Sequence, residues 1–355
     1  MKIFADFHHG GLGRSLFYLF GDRLGHDLRF PSYELSFDAA PGGTWNSIHD
    51  AWVDQIGGID RAVWESRCGW IDRDEFMATD WDLFIISRPE SQAVFDRLNH
   101  PNDAGIQRIG LSGNDGTVYD WDRVRHLIST DEGSFRSAPA HVARILTGQE
   151  IGRQYGATFK PITEERLREV HSYMNYLPVM DTIFRPRPND FTGCCPHCRT
   201  PVGTSPRAYN IEEVRRDTFA RLPGHTFKAF GHGNESIGGE CLNECDLPAA
   251  YASAALTWHV KDGEGWGHSA LQSVVCGRPV IVSAGFFRYR NAGRYLIPGI
   301  TCYETEPDPE DAAALVMRLT QDLDTANRNA ARCYKAAQGL FDWEHEAWRV
   351  EQWLN

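Results

Sequence analysis

Hydrophobic positions along the chain fall into short continuous runs bounded by turn-forming residues, with amphipathic stretches of helical period between them. Strands buried on both faces of a parallel sheet leave this pattern. Lys2-Ile3-Phe4-Ala5-Asp6-Phe7 predicts a first strand, followed by a helix over about residues 12–24 that stops at Gly25. A second strand is expected at Leu28-Arg29-Phe30, and tryptophans at helical spacing predict packed helices over 45–56 and 59–70. Runs at 81–87, 107–112 and 125–130 each end in small polar residues and continue the alternation of strand and helix. Periodicity fades over 152–163, where Pro161 interrupts, so a domain boundary is expected there, giving one domain over 1–160 and a second over 161–338. An opening strand is expected at 169–174, then a Cys-rich insertion over 178–209, a helix over 211–222, a strand at 226–231 and a short helix at 246–252. Helices over 309–323 and up to 339 follow, and Phe341-Asp342-Trp343-Glu344 opens a terminal one.

The stretch around which these elements are organised begins with the apolar strand Ala254-Ala255-Leu256-Thr257-Trp258-His259-Val260. A glycine-punctuated loop follows, Lys261-Asp262-Gly263-Glu264-Gly265-Trp266-Gly267-His268, and then a short helix from Ser269 that stops at Gly277. Pro279-Val280-Ile281-Val282 is a second strand, which completes a βαβ unit of a parallel sheet. Glycines flanking Trp266 free the backbone for positive φ, and the helix that follows points its unpaired amides into the same loop, an arrangement that attracts phosphate. Glu264 stands at the helix mouth and Gln272 along the helix, spaced for sugar hydroxyls on either side of a diphosphate; the alternative is a structural turn with a surface acid. A second strand–glycine–helix turn occurs at His8-His9-Gly10-Gly11-Leu12-Gly13-Arg14-Ser15, at an edge where open α/β sheets bind ligands. His8 and His9 there stand where a base or an acceptor contact would be useful, and capping or packing against the helix is the alternative.

The order of residues from Glu264 to Ile281 resembles the donor-site signature of GT-B glycosyltransferases, in particular the retaining family-4-like group. The matching positions are Glu264, Gly265, Trp266, Gly267, Leu271, Cys276, Gly277, Pro279, Val280 and Ile281, whereas Gln272 stands where the family has glutamate. The resemblance covers about residues 226–355 well and the first 25 more weakly. It implies two Rossmann-like domains facing a cleft, with the acceptor on the 1–160 side, the donor on the 161–338 side, and residues 339–355 packing back on the N-terminal domain. It further implies donor contacts from Gly11, Arg14, His232, Gly233, Gly265, Trp266, Gly267, His268, Ser269 and Gln272, with Glu264 on the donor sugar. His9 would serve as a base if transfer inverts. The implied reaction moves a sugar from a UDP- or GDP-sugar to an acceptor hydroxyl, with retention and with no catalytic metal in the cleft.

Composition narrows this further. With 355 residues and 42% hydrophobic content the chain can hold two ordinary cores. No apolar run reaches the roughly 18 residues of a membrane span and the N-terminus does not read as a signal peptide, so the expectation is a cytoplasmic protein. A formal net charge of -12 argues against a general nucleic-acid coat. Nine cysteines suit reduced thiols better than a disulfide framework. Cys195, Cys198, Cys241 and Cys245 have the pairing of a closed structural zinc site, and unligated thiols are the competing reading. Arg185, Arg187, Arg199 and Arg207 beside them form a basic cluster suited to a diphosphate or an anionic acceptor, which keeps a hydroxymethylated DNA base open as the acceptor alongside a saccharide. A nucleotide-sugar epimerase of the same fold and a zinc-containing nucleic-acid-binding protein are the alternatives from other classes.

Overall fold

The computed structural model describes residues 1–6, 16–31, 69–86, 99–102, 106–112, 124–129, 202–203, 212–229, 246–260, 267–285, 291–340 and 342–355. Contacts divide the chain into two compact units, Met1–Pro178 with Glu344–Asn355, and Val179–Trp343.

The first unit holds strands β1 (Lys2–Asp6), β2 (Asp27–Pro31), β3 (Trp70–Ile71), β4 (Leu83–Ile86), β5 (Gln107–Ser112) and β6 (Val124–Ser129). They form one parallel sheet in the order β3-β2-β1-β4-β5-β6, the doubly wound arrangement in which chain order reverses between β1 and β4. Ile3, Phe4 and Ala5 are all buried, as a strand covered on both faces requires. Phe4 centres an aromatic cluster, with Phe76 at 4.7 Å and Trp81 at 5.4 Å between ring centroids, and the Trp81 indole donates to the Phe76 carbonyl at 2.9 Å. Phe76 lies on helix α1 (Arg73–Ala78), started by Asp72, whose carboxylate accepts from the Glu75 amide at 2.9 Å. The helix expected over 12–24 is described from Phe17 to Arg23 and is wound in the wider π form, with Leu24 N–H donating to Leu19 O; Gly25 ends it at φ 67°. Trp70 departs from the helix expected over 59–70, because it lies in β3 opposite Phe30. A two-residue strand is too short to print a period of its own in the sequence.

The second unit holds β7 (Val202–Gly203), β8 (Lys228–Ala229), β9 (Thr257–His259), β10 (Val280–Ser283) and β11 (Cys302–Thr305), again all parallel, in the order β11-β10-β9-β7-β8. Its helices are α2 (Glu212–Ala220), α3 (Leu247–Ala252), α4 (His268–Val275), α5 (Pro309–Leu319) and α6 (Leu323–Leu340). Val202 and Gly203 correct the expected insertion at its distal end, because they form a strand between β8 and β9 in mid-sheet. Asp308 starts α5 by accepting from the Glu310 and Asp311 amides at 2.9 and 3.0 Å, with Pro309 in the first turn.

Strand β9 and its flanks divide their side chains strictly between two layers. Leu256, Trp258 and Val260 join Val214 of α2 and Ala312, Leu315 and Val316 of α5 in one core, while Ala255 packs with Ala326 and Ala330 of α6. The period of two that separates them is that of a pleated strand. The terminal helix α7 (Trp343–Leu354) belongs to the first unit from Glu344 onward, and Arg23 joins the Glu344 carboxylate to the Tyr18 hydroxyl there.

Candidate functional site

Chain order in the second sheet reverses between β7 and β9, so the segment leaving the carboxyl end of β9 departs from the topological switch point. In open parallel sheets the strand ends diverge at this point and leave room for a ligand. The departing segment is the one with Glu264, Gly265 and Trp266, residues that lie outside those described. It re-enters at Gly267, which sits in the left-handed region at φ 66°, ψ 39° and precedes the first residue of α4. Glycine suits that position because a Cβ there would crowd the backbone. The first intrahelical bond runs from Leu271 N to Gly267 O at 2.9 Å. The amides of His268, Ser269 and Ala270 are therefore those an α-helix leaves without an internal acceptor, and they face the segment's exit.

The remainder of α4 is pinned from within. Ser273 Oγ lies 2.8 Å from Thr257 Oγ1 on β9 and donates to the Arg278 carbonyl at 3.0 Å, so one buried hydroxyl pair ties strand, helix and the following turn together. Gly277 ends the helix at φ 82°, and a Cβ built on it would stand 3.0 Å from Tyr334 Cα of α6. Arg278 is fully buried, and its guanidinium donates to Gly277 O at 2.9 Å and to Ala252 O at 3.0 Å. Both carbonyls lie at helix C-termini, where the aligned peptide dipoles put partial negative charge beside the cation.

Of the residues read from the sequence, Gly267, His268 and Ser269 come together at the mouth of α4. Gln272 is buried, and its Oε1 accepts from the Tyr251 hydroxyl of α3 at 3.2 Å. This bond gives the amide a packing partner that spacing alone did not indicate. His9, Gly11, Arg14, His232, Gly233, Glu264, Gly265, Trp266, Cys195, Cys198, Cys241 and Cys245 lie outside the described residues, as do the arginines at 185, 187, 199 and 207. The glycine-rich run after β1 nevertheless also departs from a switch point, that of the first sheet between β1 and β4. Tyr251, His259 and Arg278 were missed. The signal for the last two was a polar residue inside an otherwise apolar run.

Cys276, Cys302 and Cys333 are buried and form no disulfide. Burial, with Glu304 adding to it, pushes the Cys302 thiol up to about 12, and burial likewise raises Cys333, so both are protonated and poor nucleophiles. Among the described residues no group of three or more His, Cys, Asp or Glu side chains is arranged to hold a metal ion. No described helix is long and apolar enough to cross a membrane.

No family model and no curated protein matches the chain. Solved structures do. HepE from Anabaena, in complex with UDP and glucose, superposes with a TM-score of 0.64 at 12% identity over 100% of this chain and 99% of that one. Sucrose-phosphate synthase from Thermosynechococcus elongatus matches with a TM-score of 0.64 at 14% identity over 100% and 98%. The chain has the GT-B fold. A glycosyltransferase from Rickettsia africae is a further GT-B relative in structure, with a TM-score of 0.55 at 13% identity over 99% and 97%. Identities this low carry the fold and no individual residue's role.

Proposed function

We propose that this GT-B chain is a glycosyltransferase that takes a sugar from a nucleoside diphosphate donor and passes it to an acceptor hydroxyl. The observation that carries the reading is that β9 lies at the switch point of the second sheet and that Gly267, which closes the Glu264-Gly265-Trp266-Gly267 run of the sequence, stands at the amino end of α4. Departure of the nucleoside diphosphate concentrates negative charge on the distal phosphate, and fixed amides meet that charge without reorganising. His268 and Ser269 supply such amides, with Arg14, His232 and Gly233 assigned to the same donor. Glu264 orients the sugar, and Gln272 lies behind the mouth on the nucleoside side. UDP is the favoured carrier, in keeping with the UDP held by HepE. Retention is the favoured outcome, in which case His9 serves acceptor binding; inversion would make it the base. The acceptor is a saccharide hydroxyl or a hydroxymethylated DNA base, and retardation of duplex DNA in a shift assay separates the two. The spacing of Cys195, Cys198, Cys241 and Cys245 supports a closed zinc that orders the chain and takes no part in transfer.

Replacement of the acid tests the reading. Glu264→Ala should lower transfer at least ~100-fold, the scale of a lost transition-state contact, with an unchanged melting temperature. Transfer at the wild-type rate would remove Glu264 from the donor site.

A further inference from the structure

His259 ends β9 at the switch point and is 1% exposed, with its Nε2 sealed from solvent. A histidine at the end of a wholly buried strand needs explaining, since burial of an imidazole costs free energy unless hydrogen bonds replace water. Its place in the fold follows from the strand's two layers. Leu256, Trp258 and Val260 face the α2 and α5 side, whereas Thr257 meets Ser273 of α4 and Ala255 meets α6. His259 therefore lies on the α4 side. It stands two residues past Thr257, a rise of about 6.6 Å, which an antiparallel helix rising about 1.5 Å per residue covers in about four residues. Counting back from Ser273 gives Ser269. By this register His259 is level with the first turn of α4, whose amides are assigned to the phosphates, whereas Ser273 and Arg278 hold the opposite end of the helix.

We propose that His259 is a positioning residue of the donor site: by hydrogen bonding under the first turn of α4 it fixes the direction in which that turn presents its amides to phosphate. The inference rests on the nucleoside diphosphate reading above. It acts through the turn, in keeping with a side chain closed to solvent. An apolar residue of similar size would fill the space and leave the turn unbraced, while an amide side chain would restore a donor and an acceptor.

Titration calorimetry of the full chain with UDP and with uridine, alongside melting curves, tests this. His259→Leu should weaken UDP binding ~10-fold or more, leave uridine binding unchanged, and melt within a few degrees of wild type; His259→Gln should recover most of the UDP affinity. Equal UDP affinity in the leucine variant overturns the inference, as does a proportional loss with uridine, which would mark a packing role. Should the leucine variant not fold, ¹⁵N spectra of wild-type imidazoles decide: UDP must shift the His259 resonances, and no shift overturns the proposal. A wild-type protein that binds neither UDP nor GDP overturns the donor reading and this inference together, whereas the variant results above strike the inference alone.

Discussion

Replacing Gly277 by alanine probes how tightly α4 is held against α6. Gly277 sits at φ 82°, and the added Cβ would meet Tyr334 Cα and Cβ at 3.0 Å and Cδ2 at 3.2 Å. The left-handed backbone costs a non-glycine residue about 1–2 kcal/mol, and forcing a methyl against a helix backbone adds about 1–3 kcal/mol. A total of about 3 kcal/mol, at about 2–4 °C per kcal/mol for a unit of this size, lowers the melting temperature by about 6–12 °C. Gly299 is the control, because its φ is 74° and a methyl added to it would meet nothing within 4 Å. Gly299→Ala therefore carries the backbone cost alone, about 1–2 kcal/mol. Circular dichroism melts of both variants in the full chain isolate the contact as the difference between them. Indistinguishable melting temperatures would refute the close approach of α4 to α6 as a source of stability.

Two further outcomes are expected. The His26 imidazole is held below its ordinary value of 6.5, chiefly by burial and next by the N-terminal ammonium, with Glu351 and Asp82 pulling the other way. Its contribution is thus full above the unfolded value and is lost as pH falls through the lower folded value, so between about pH 7.5 and about 5.5 wild type should lose more thermal stability than His26→Gln; parallel losses would clear His26 of this role. For the cysteine set, elemental analysis of purified protein should find about one zinc per chain, removed by the Cys195→Ser, Cys198→Ser double variant; a zinc-free protein with a normal melt would leave the four as plain thiols.

What could be read from the sequence follows the range of the interactions. β1, β4, β9 and β10 were legible because burial on both faces leaves a continuous apolar run. The glycine turn before α4 was legible because positive φ selects glycine locally, and Gly267 adopts it. β3 and β7 were not, since two residues such as Val202 and Gly203 become a strand only through the neighbours they pair with. At the site, the glycine turn closing the Glu264–Gly267 run could be read locally, while tertiary partners could not. Arg278 read as the variable position of Gly-x-Pro, yet it is a buried cation between two helix ends. Gln272 read as a ligand contact, and only the approach of α3 revealed its bond to Tyr251.

The division of the chain bears on its birth at the ribosome. Residues 179–343 are contiguous and can collapse as soon as they emerge, whereas the earlier unit must wait for 344–355, including the carboxylate that meets Arg23. The amino-terminal sheet, although made first, thus waits for the last-made helix to join it.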